Sequence, residues 1–448
     1  MDDDSGILKD DNRHRPPNIV SRSEHNISRS RISENALKVL YRLKNSGFDA
    51  YLVGGGVRDL LLGRAPKDFD IATNAMPEEV KALFRNCRLI GRRFRLAHVQ
   101  FGREIIEVAT FRAAALDDED GDREIENGRI LRDNIYGSLD EDAWRRDFTV
   151  NALYYNISDF SVVDYTGGLK DLNEATLRLI GDPHRRYRED PVRMLRAVRF
   201  SVKLGFTVET QCEALIPELG ALLEDIPPAR LFDEVLKLFL SGHAVNAFDA
   251  LRQLGLFRYL FPDTDALIEK DQDDKIARMI RVALENTDQR IQEEKPVTPA
   301  FLLAALLWPC FVQQLEAKAR LPNMNDTQRG HLAFDDTMRA QLQRVMIPKR
   351  FAIAMKEIWL FQSRLKQQTP KRVRKLFEHP RFRAAYDFLL IRKAVEPELE
   401  ELANWWTDYQ EANGDQRDVL LQKAVKRSAK HSKRRRYRNK KRGKSKEG

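Results

Sequence analysis

Between Tyr51 and Thr73 the chain reads YLVGGGVRDLLLGRAPKDFDIAT, and no other stretch restricts the possible folds so tightly. A short apolar run (Tyr51, Leu52, Val53) enters three glycines, a helix-forming segment follows from Val57 to Leu62, and a second strand-like run carries Asp68 and Asp70. Glycine lets the backbone come close to a phosphate, and amides that open a helix favour negative charge. In a strand, residues i and i+2 share a face, so Asp68 and Asp70 are expected to project side by side. Two carboxylates beside a phosphate cradle suit Mg²⁺-dependent phosphoryl transfer. No Gly-Lys-Ser/Thr follows the glycines, which argues against a P-loop ATPase. Alone, Gly-Gly-Gly reads as a turn and Asp-x-Asp as two solvated acids; it is their order and spacing that point to a site.

Around this stretch the pattern alternates. Ile32, Ala36, Val39, Leu40 and Leu43 recur at helical spacing, and strand-like runs are predicted at Ala50–Val53, Phe69–Ala72, His98–Phe101, Ile105–Thr110 and Ala152–Ile157, with a helix at Pro77–Phe84. The acidic segment Asp117–Glu126 reads as a solvated excursion. From about Pro191 onward the period becomes helical almost throughout, with prolines such as Pro262, Pro296, Pro322, Pro348 and Pro370 at places where helices can begin or end. The expected fold class is therefore α+β: a small mixed-sheet catalytic domain (31–170), a mainly helical neck (171–240) and a helical body (241–422). A loose N-terminal segment (1–30) and a disordered basic C-terminal tail (423–448) flank these units.

Charge is unevenly distributed. Lys423–Gly448 holds 14 Lys/Arg against one Glu, so the other 422 residues carry a net −4 although the whole chain is +9. A tail almost without apolar residues cannot offset the entropy of ordering, and it can follow an RNA backbone by releasing counterions. Cys87, Cys212 and Cys310 fit neither a disulfide framework nor a zinc spacing, which suits a reducing cytoplasm. The N-terminus lacks a signal-peptide pattern, and the uncharged run Ala300–Val312, 13 residues with Pro309 inside it, is short for a membrane span and right for a buried helix.

The stretch Tyr51–Thr73, with Glu107–Arg112 (EVATFR), Arg145–Ala152 (RRDFTVNA) and Glu189–Arg199 (EDPVRMLRAVR), resembles the signature of class II RNA 3′-end nucleotidyltransferases, the bacterial poly(A) polymerases and CCA-adding enzymes. The resemblance spans roughly residues 35 to 240. It implies Asp68 and Asp70 as metal ligands for Mg²⁺, with Mn²⁺ as an alternative. Glu107 is the best-placed third carboxylate, and Asp147 is a further candidate. Gly54, Gly55 and Arg58 would grip the triphosphate of ATP, Asp147 would read sugar hydroxyls, and Arg146 or Arg145 would meet phosphate. On a helix opened by Pro191, Asp190 and Arg193 offer the acceptor and donor needed to read a base edge without a template, with Arg196 and Arg199 recurring every three residues. Arg92, Arg93 and Arg95 are either RNA contacts or a solvated loop.

The leading expectation is a template-independent poly(A) polymerase acting on RNA 3′ ends, and a CCA-adding tRNA nucleotidyltransferase is the near alternative. The block GRRFRLAHVQFGREIIEVATFR and the basic tail favour the former, and no histidine is followed by Asp, so an HD phosphohydrolase unit is not expected. A non-catalytic RNA-binding protein on a decayed fold would have lost a carboxylate, whereas Asp68, Asp70 and Glu107 are all present.

Overall fold

The computed structural model describes residues 16–91, 95–113, 135–322 and 324–425, together with the backbone of 123–126 and 129–133. Its contacts divide the chain into two compact units, residues 1–223 and 224–448.

The first unit is organised by a mixed sheet. Its strands and helices run β1 (Asn18–Val20), α1 (Glu34–Asn45), β2 (Ala50–Val53), α2 (Gly55–Leu61), β3 (Asp70–Thr73), α3 (Pro77–Leu83), β4 (Cys87–Ile90), β5 (Leu96–Phe101) and β6 (Glu104–Thr110). A hairpin of β7 (Arg123–Glu126) and β8 (Arg129–Asp133) follows, then α4 (Leu139–Arg145), β9 (Leu153–Asn156), β10 (Val162–Asp164) and α5 (Gly168–Asn173). The unit ends with β11 (Thr176–Leu177), α6 (Pro183–Glu189), α7 (Val192–Leu204), β12 (Thr207–Val208) and α8 (Thr210–Leu219). The sheet order is β1-β10-β9-β2-β3-β6-β5-β4, with β3 and β6 parallel and the other neighbours antiparallel.

Period-2 alternation decides which side each residue faces. Leu52, Ile71, Ile106, Val108, Ala97 and Val99 are buried on one face, and α1 and α3 pack against these strands. Ser33 caps α1 by accepting from the Ala36 amide, and the buried stripe Ala36, Val39, Leu40 and Leu43 is the one the sequence marks. On the opposite face, Val53, Ala72, Tyr154 and Val163 form a second core with Phe111 and with Ala143 of α4. That core covers the β3–β2–β9–β10 half only. On β6, β5 and β4 the same face carries Ile105, Gln100, Arg88 and Ile90, all exposed.

Three expectations change. Within the N-terminal segment expected to be disordered (1–30), Asn18–Val20 forms β1 and pairs with β10. Asp68 lies just before β3, so the strand begins at Asp70 and the two acids are not both strand residues. The end of the acidic excursion, Arg123–Glu126, pairs with Arg129–Asp133 as a hairpin; residues 117–122 lie outside the described residues. Alternation in REIE and RILRD was the available signal, masked by the acids before it. The N-terminal stretch to residue 15, Arg92, Arg93 and the tail from residue 426 also lie outside the described residues, whereas 423–425 end a helix that begins at 414.

Helices make up the second unit. Its long apolar helix Pro299–Lys318 is the one helix among the described residues long and apolar enough to cross a membrane, yet Ala300 and Leu302–Phe311 are buried. Within this core the Phe311 and Trp359 rings stack at 4.7 Å, and the Trp359 indole donates to the Ala304 carbonyl at 3.0 Å. The three cysteines are free and buried.

Candidate active site

Strand pairing, more than sequence proximity, assembles the site. Val53, the last residue before the glycines, pairs with Asp70, and Asp70 pairs with Glu107 across β3 and β6. Three adjacent strands thus bring the glycine turn and two carboxylates into one row. Gly54 has φ 74°, in the left-handed region that favours glycine. A Cβ on Gly56 would lie 3.4 Å from the Asp68 carbonyl oxygen, so this glycine lets α2 pass close to the main chain that carries the first acid.

The Asp70 carboxyl is pushed up to about 6, first by the protein packed around it and then by the charges of Glu107 and Asp68, with Arg146 and His98 pulling the other way. Asp70 therefore lies within electrostatic reach of both Glu107 and Asp68. Among the described residues no three such groups form a ready-made metal cage. Mg²⁺ does not need one, since it keeps several waters and takes one or two carboxylates plus substrate phosphates, and these hard oxygen donors fit that habit. Glu107 also meets the His98 Nε2 at 3.3 Å.

Arg146 stands beside the glycine turn. Its Nε donates to the Tyr154 hydroxyl at 2.8 Å and its Nη2 to Asp142 at 2.9 Å, while Tyr154 donates to the same Asp142 oxygen at 2.7 Å. With those edges held, Nη1 lies 3.7 Å from where a Cβ on Gly54 would stand, so it faces the glycine turn. Burial works against charge here, yet Tyr154 and Asp142 hold the Arg146 guanidinium above its ordinary range, and Arg146 with Tyr154 holds Asp142 below its own. Arg186 secures the segment from behind by donating to the carbonyls of Arg145 and Arg146.

Arg58 is placed differently from the expectation that it grips phosphate directly. It is 2 % exposed, its Nε and Nη2 donate to Asp59 at 2.9 and 2.7 Å, and its Nη1 donates to Asn151 at 2.5 Å. All three nitrogens are turned inward, so Arg58 braces the turn, and Gly55 leaves it room: a Cβ there would be 3.4 Å from Nη2.

Asp147 is engaged by Arg196, with Nε at 2.7 Å, and also accepts from the Phe148 amide at 2.8 Å and from Asn151 at 3.4 Å. Burial alone would raise its carboxyl, but the Arg196 charge and these hydrogen bonds hold it at about 2. Asp190 and Arg193 flank the junction of α6 and α7: the Asp190 carboxylate accepts from the Val192 amide at 3.3 Å, and Arg193 donates to Glu189 at 3.1 Å and to the Arg186 carbonyl at 2.6 Å. Arg95 pairs with Glu78 at 2.8 Å on the surface.

Sequence reading passed over Asp142, Tyr154 and Arg186, and gave Asp59, Asn151 and Glu189 a place in a motif without a partner. Asp142 had a local signal in its i,i+4 spacing to Arg146, and so had Glu189 in its spacing to Arg186 and Arg193; Tyr154 and Asn151 become visible only through strand pairing and helix packing.

The chain aligns with a solved tRNA-processing enzyme at a TM-score of 0.57 over 87% of this chain and 98% of that one, at 24% identity. This likeness is one of fold. Residues 50–178 match the family described as the Poly A polymerase head domain, 205–268 the probable RNA and SrmB-binding site of polymerase A, and 322–442 the arginine-rich C-terminus of polymerase A. The poly(A) polymerase I of Salmonella typhi is 51% identical over 88% of this chain and 85% of its own length, whereas a CCA-adding enzyme of Lactobacillus helveticus is 41% identical over 48% of this chain and 51% of its own. The chain belongs to the bacterial poly(A) polymerase I family.

Proposed function

We propose that the site built on Gly54, Asp68, Asp70, Glu107 and Arg146 carries out this family's reaction, the template-independent addition of AMP from ATP to RNA 3′ ends. The chain is a polynucleotide adenylyltransferase, as relatives about 50% identical over most of its length support. In the reaction the RNA 3′-oxygen bonds to the α-phosphorus of ATP, the bond from that phosphorus to the β-phosphate bridging oxygen breaks, and pyrophosphate leaves. The hydroxyl proton passes to solvent. The observation that carries the residue assignment is the row Val53–Asp70–Glu107, which sets the glycine turn beside two carboxylates.

Gly54 leaves space for the triphosphate, and Arg146, locked by Asp142 and Tyr154, presents its free edge toward that space. Asp68, Asp70 and Glu107 would hold Mg²⁺, which when bound offsets phosphate charge and makes the attacking hydroxyl more acidic. The chain's own contribution is then to hold nucleotide and RNA end in line and to keep fixed charge where charge develops. Asp147, fixed by Arg196, is assigned to the ribose, and Asp190 with Arg193 to the base edge, where Glu189 and Arg186 orient the Arg193 side chain. The tail from Lys423 is assigned to the RNA backbone on its charge.

Incubating the purified protein with an unstructured RNA and one nucleoside triphosphate at a time tests the reading. Long tails with ATP alone are expected. A product that needs CTP and stops after three additions on a tRNA end would establish the CCA-adding alternative.

A further inference from the structure

The sheet face that holds the carboxylates is divided. Toward β2 and β9 it is covered by α4 through Ala143 and Tyr154, and toward β4 it is open. Asp70 stands at the boundary. From it a register row continues outward: Glu107 pairs with His98 on β5, and His98 pairs with Arg88 on β4. Partners in register share a face, so Asp70, Glu107, His98 and Arg88 lie along one line across four strands. Beside that line Ile105 is 47% and Ile90 39% exposed, with Gln100 also exposed between them.

We infer that this open half, β4–β5–β6, seats the 3′-terminal nucleotides of the single-stranded RNA being extended. The inference rests on the assignment of Asp70 and Glu107 to the reacting centre. Phosphoryl transfer needs the attacking and leaving oxygens roughly in line. Gly54 and Arg146 place the triphosphate on the β2–β9 side of Asp70, so the leaving pyrophosphate lies there and the attacking hydroxyl must come from the other side. That other side is the open half, which is continuous with the carboxylates through the register row Asp70, Glu107, His98 and Arg88. Its chemistry suits the ligand. Arg88 is exposed and has no acidic partner among the described residues, which leaves its charge for a phosphate. Ile105 and Ile90 offer apolar surface to the flat faces of bases, Gln100 a donor and an acceptor, and none of these selects one base over another. Three strand spacings of about 4.8 Å put Arg88 roughly 14 Å from Asp70, a reach that takes in the last nucleotide and its predecessor. His98, hydrogen-bonded to Glu107, sits where the row passes from metal-holding acids to RNA surface.

The test compares Arg88→Glu and Ile105→Asp with the wild-type full chain. Both sites are exposed, so the fold should tolerate the changes, and an unchanged KM for ATP checks this. KM for an unstructured oligoribonucleotide should rise about fivefold or more in each variant, and Arg88→Glu should lower the log–log salt slope of RNA binding by about 0.7. RNA carrying 4-thiouridine at its last nucleotide should photo-crosslink to Cys87–Ile90, Leu96–Phe101 or Glu104–Thr110. Unchanged KM for RNA in both variants, or crosslinks confined to other segments, would overturn the inference. Asp70→Asn separates the two levels: it should keep the crosslink and lose turnover, and if it keeps turnover, the assignment of the reacting centre itself fails.

Discussion

Glu107 stands opposite Asp70 in the parallel pairing of β3 with β6, although the two are separated in the chain by a helix and two further strands. Burial first and then the Glu107 charge push the Asp70 carboxyl up to about 6, although Arg146 and His98 pull the other way. An arrangement that is unfavourable for the protein alone and relieved by a cation is what a metal-dependent site requires.

On the proposed assignment of Asp70 and Glu107 to the metal, Asp70→Asn and Glu107→Gln should each reduce AMP addition by about a thousandfold or more, because the remaining acids would not replace a missing ligand. Each also removes one of two opposed charges, so the melting temperature of the metal-free variants should equal or exceed that of the parent. Single-turnover assays and thermal melts in EDTA check the two halves of this expectation.

Removing divalent metal should abolish turnover without unfolding the protein, since the hydrophobic cores of both units are built independently of the acidic row. Treatment with EDTA followed by circular dichroism and readdition of Mg²⁺ measures this directly; loss of secondary structure on chelation would count against it.

Tyr154→Phe keeps the ring in its core but removes the hydroxyl that accepts from Arg146 and donates to Asp142. A hydrogen bond of this kind contributes about 0.5–1.5 kcal/mol, more where a charge is involved. KM for ATP should accordingly rise about threefold to tenfold while KM for RNA stays constant. Equal changes in both would mean that the hydroxyl supports the fold generally and not the Arg146 edge.

The Asp147–Arg196 pair gives a pH signature. The folded Asp147 carboxyl is held at about 2 against an ordinary value of 3.8, so the stabilisation is complete above 3.8 and is lost as pH falls from there through about 2. Asp147→Asn should be less stable near neutrality and should show a flatter loss of stability across that acid window. Urea denaturation at a series of pH values resolves the slope.

Truncating the chain after Val425 should weaken RNA binding and flatten its salt dependence. On a single strand the log–log slope should fall by about 0.7 for each phosphate that the tail had neutralised. Binding titrations at several salt concentrations decide it; coincident slopes would remove the tail from the RNA-binding surface.

Much of the first unit could be read from local pattern, because its signals are local. β2 spans Ala50–Val53 as alternation predicts, α3 begins at Pro77, and α7 follows Pro191 with its arginines three apart. What escaped was whatever depends on lateral partners. Arg58 looks like an exposed helical arginine until Asn151, 93 residues away, is found accepting from it. Tyr154 is an unexceptional strand tyrosine until α4 lays Arg146 over it. The short strands β4 and β10 had too few residues for a period to show.

The segment between β6 and α4 is gathered at its root. Ala113 donates to the Ile135 carbonyl at 3.0 Å, Gly137 donates to the Phe111 carbonyl at 3.0 Å, and Arg112 bridges Tyr136. Gly137 has no room for a side chain, since a Cβ there would lie 2.6 Å from the Ala113 Cα. The fastening sets the spacing of the two chain ends that leave β6 and enter α4, whatever lies between them, and Gly137 is the residue on which that spacing depends.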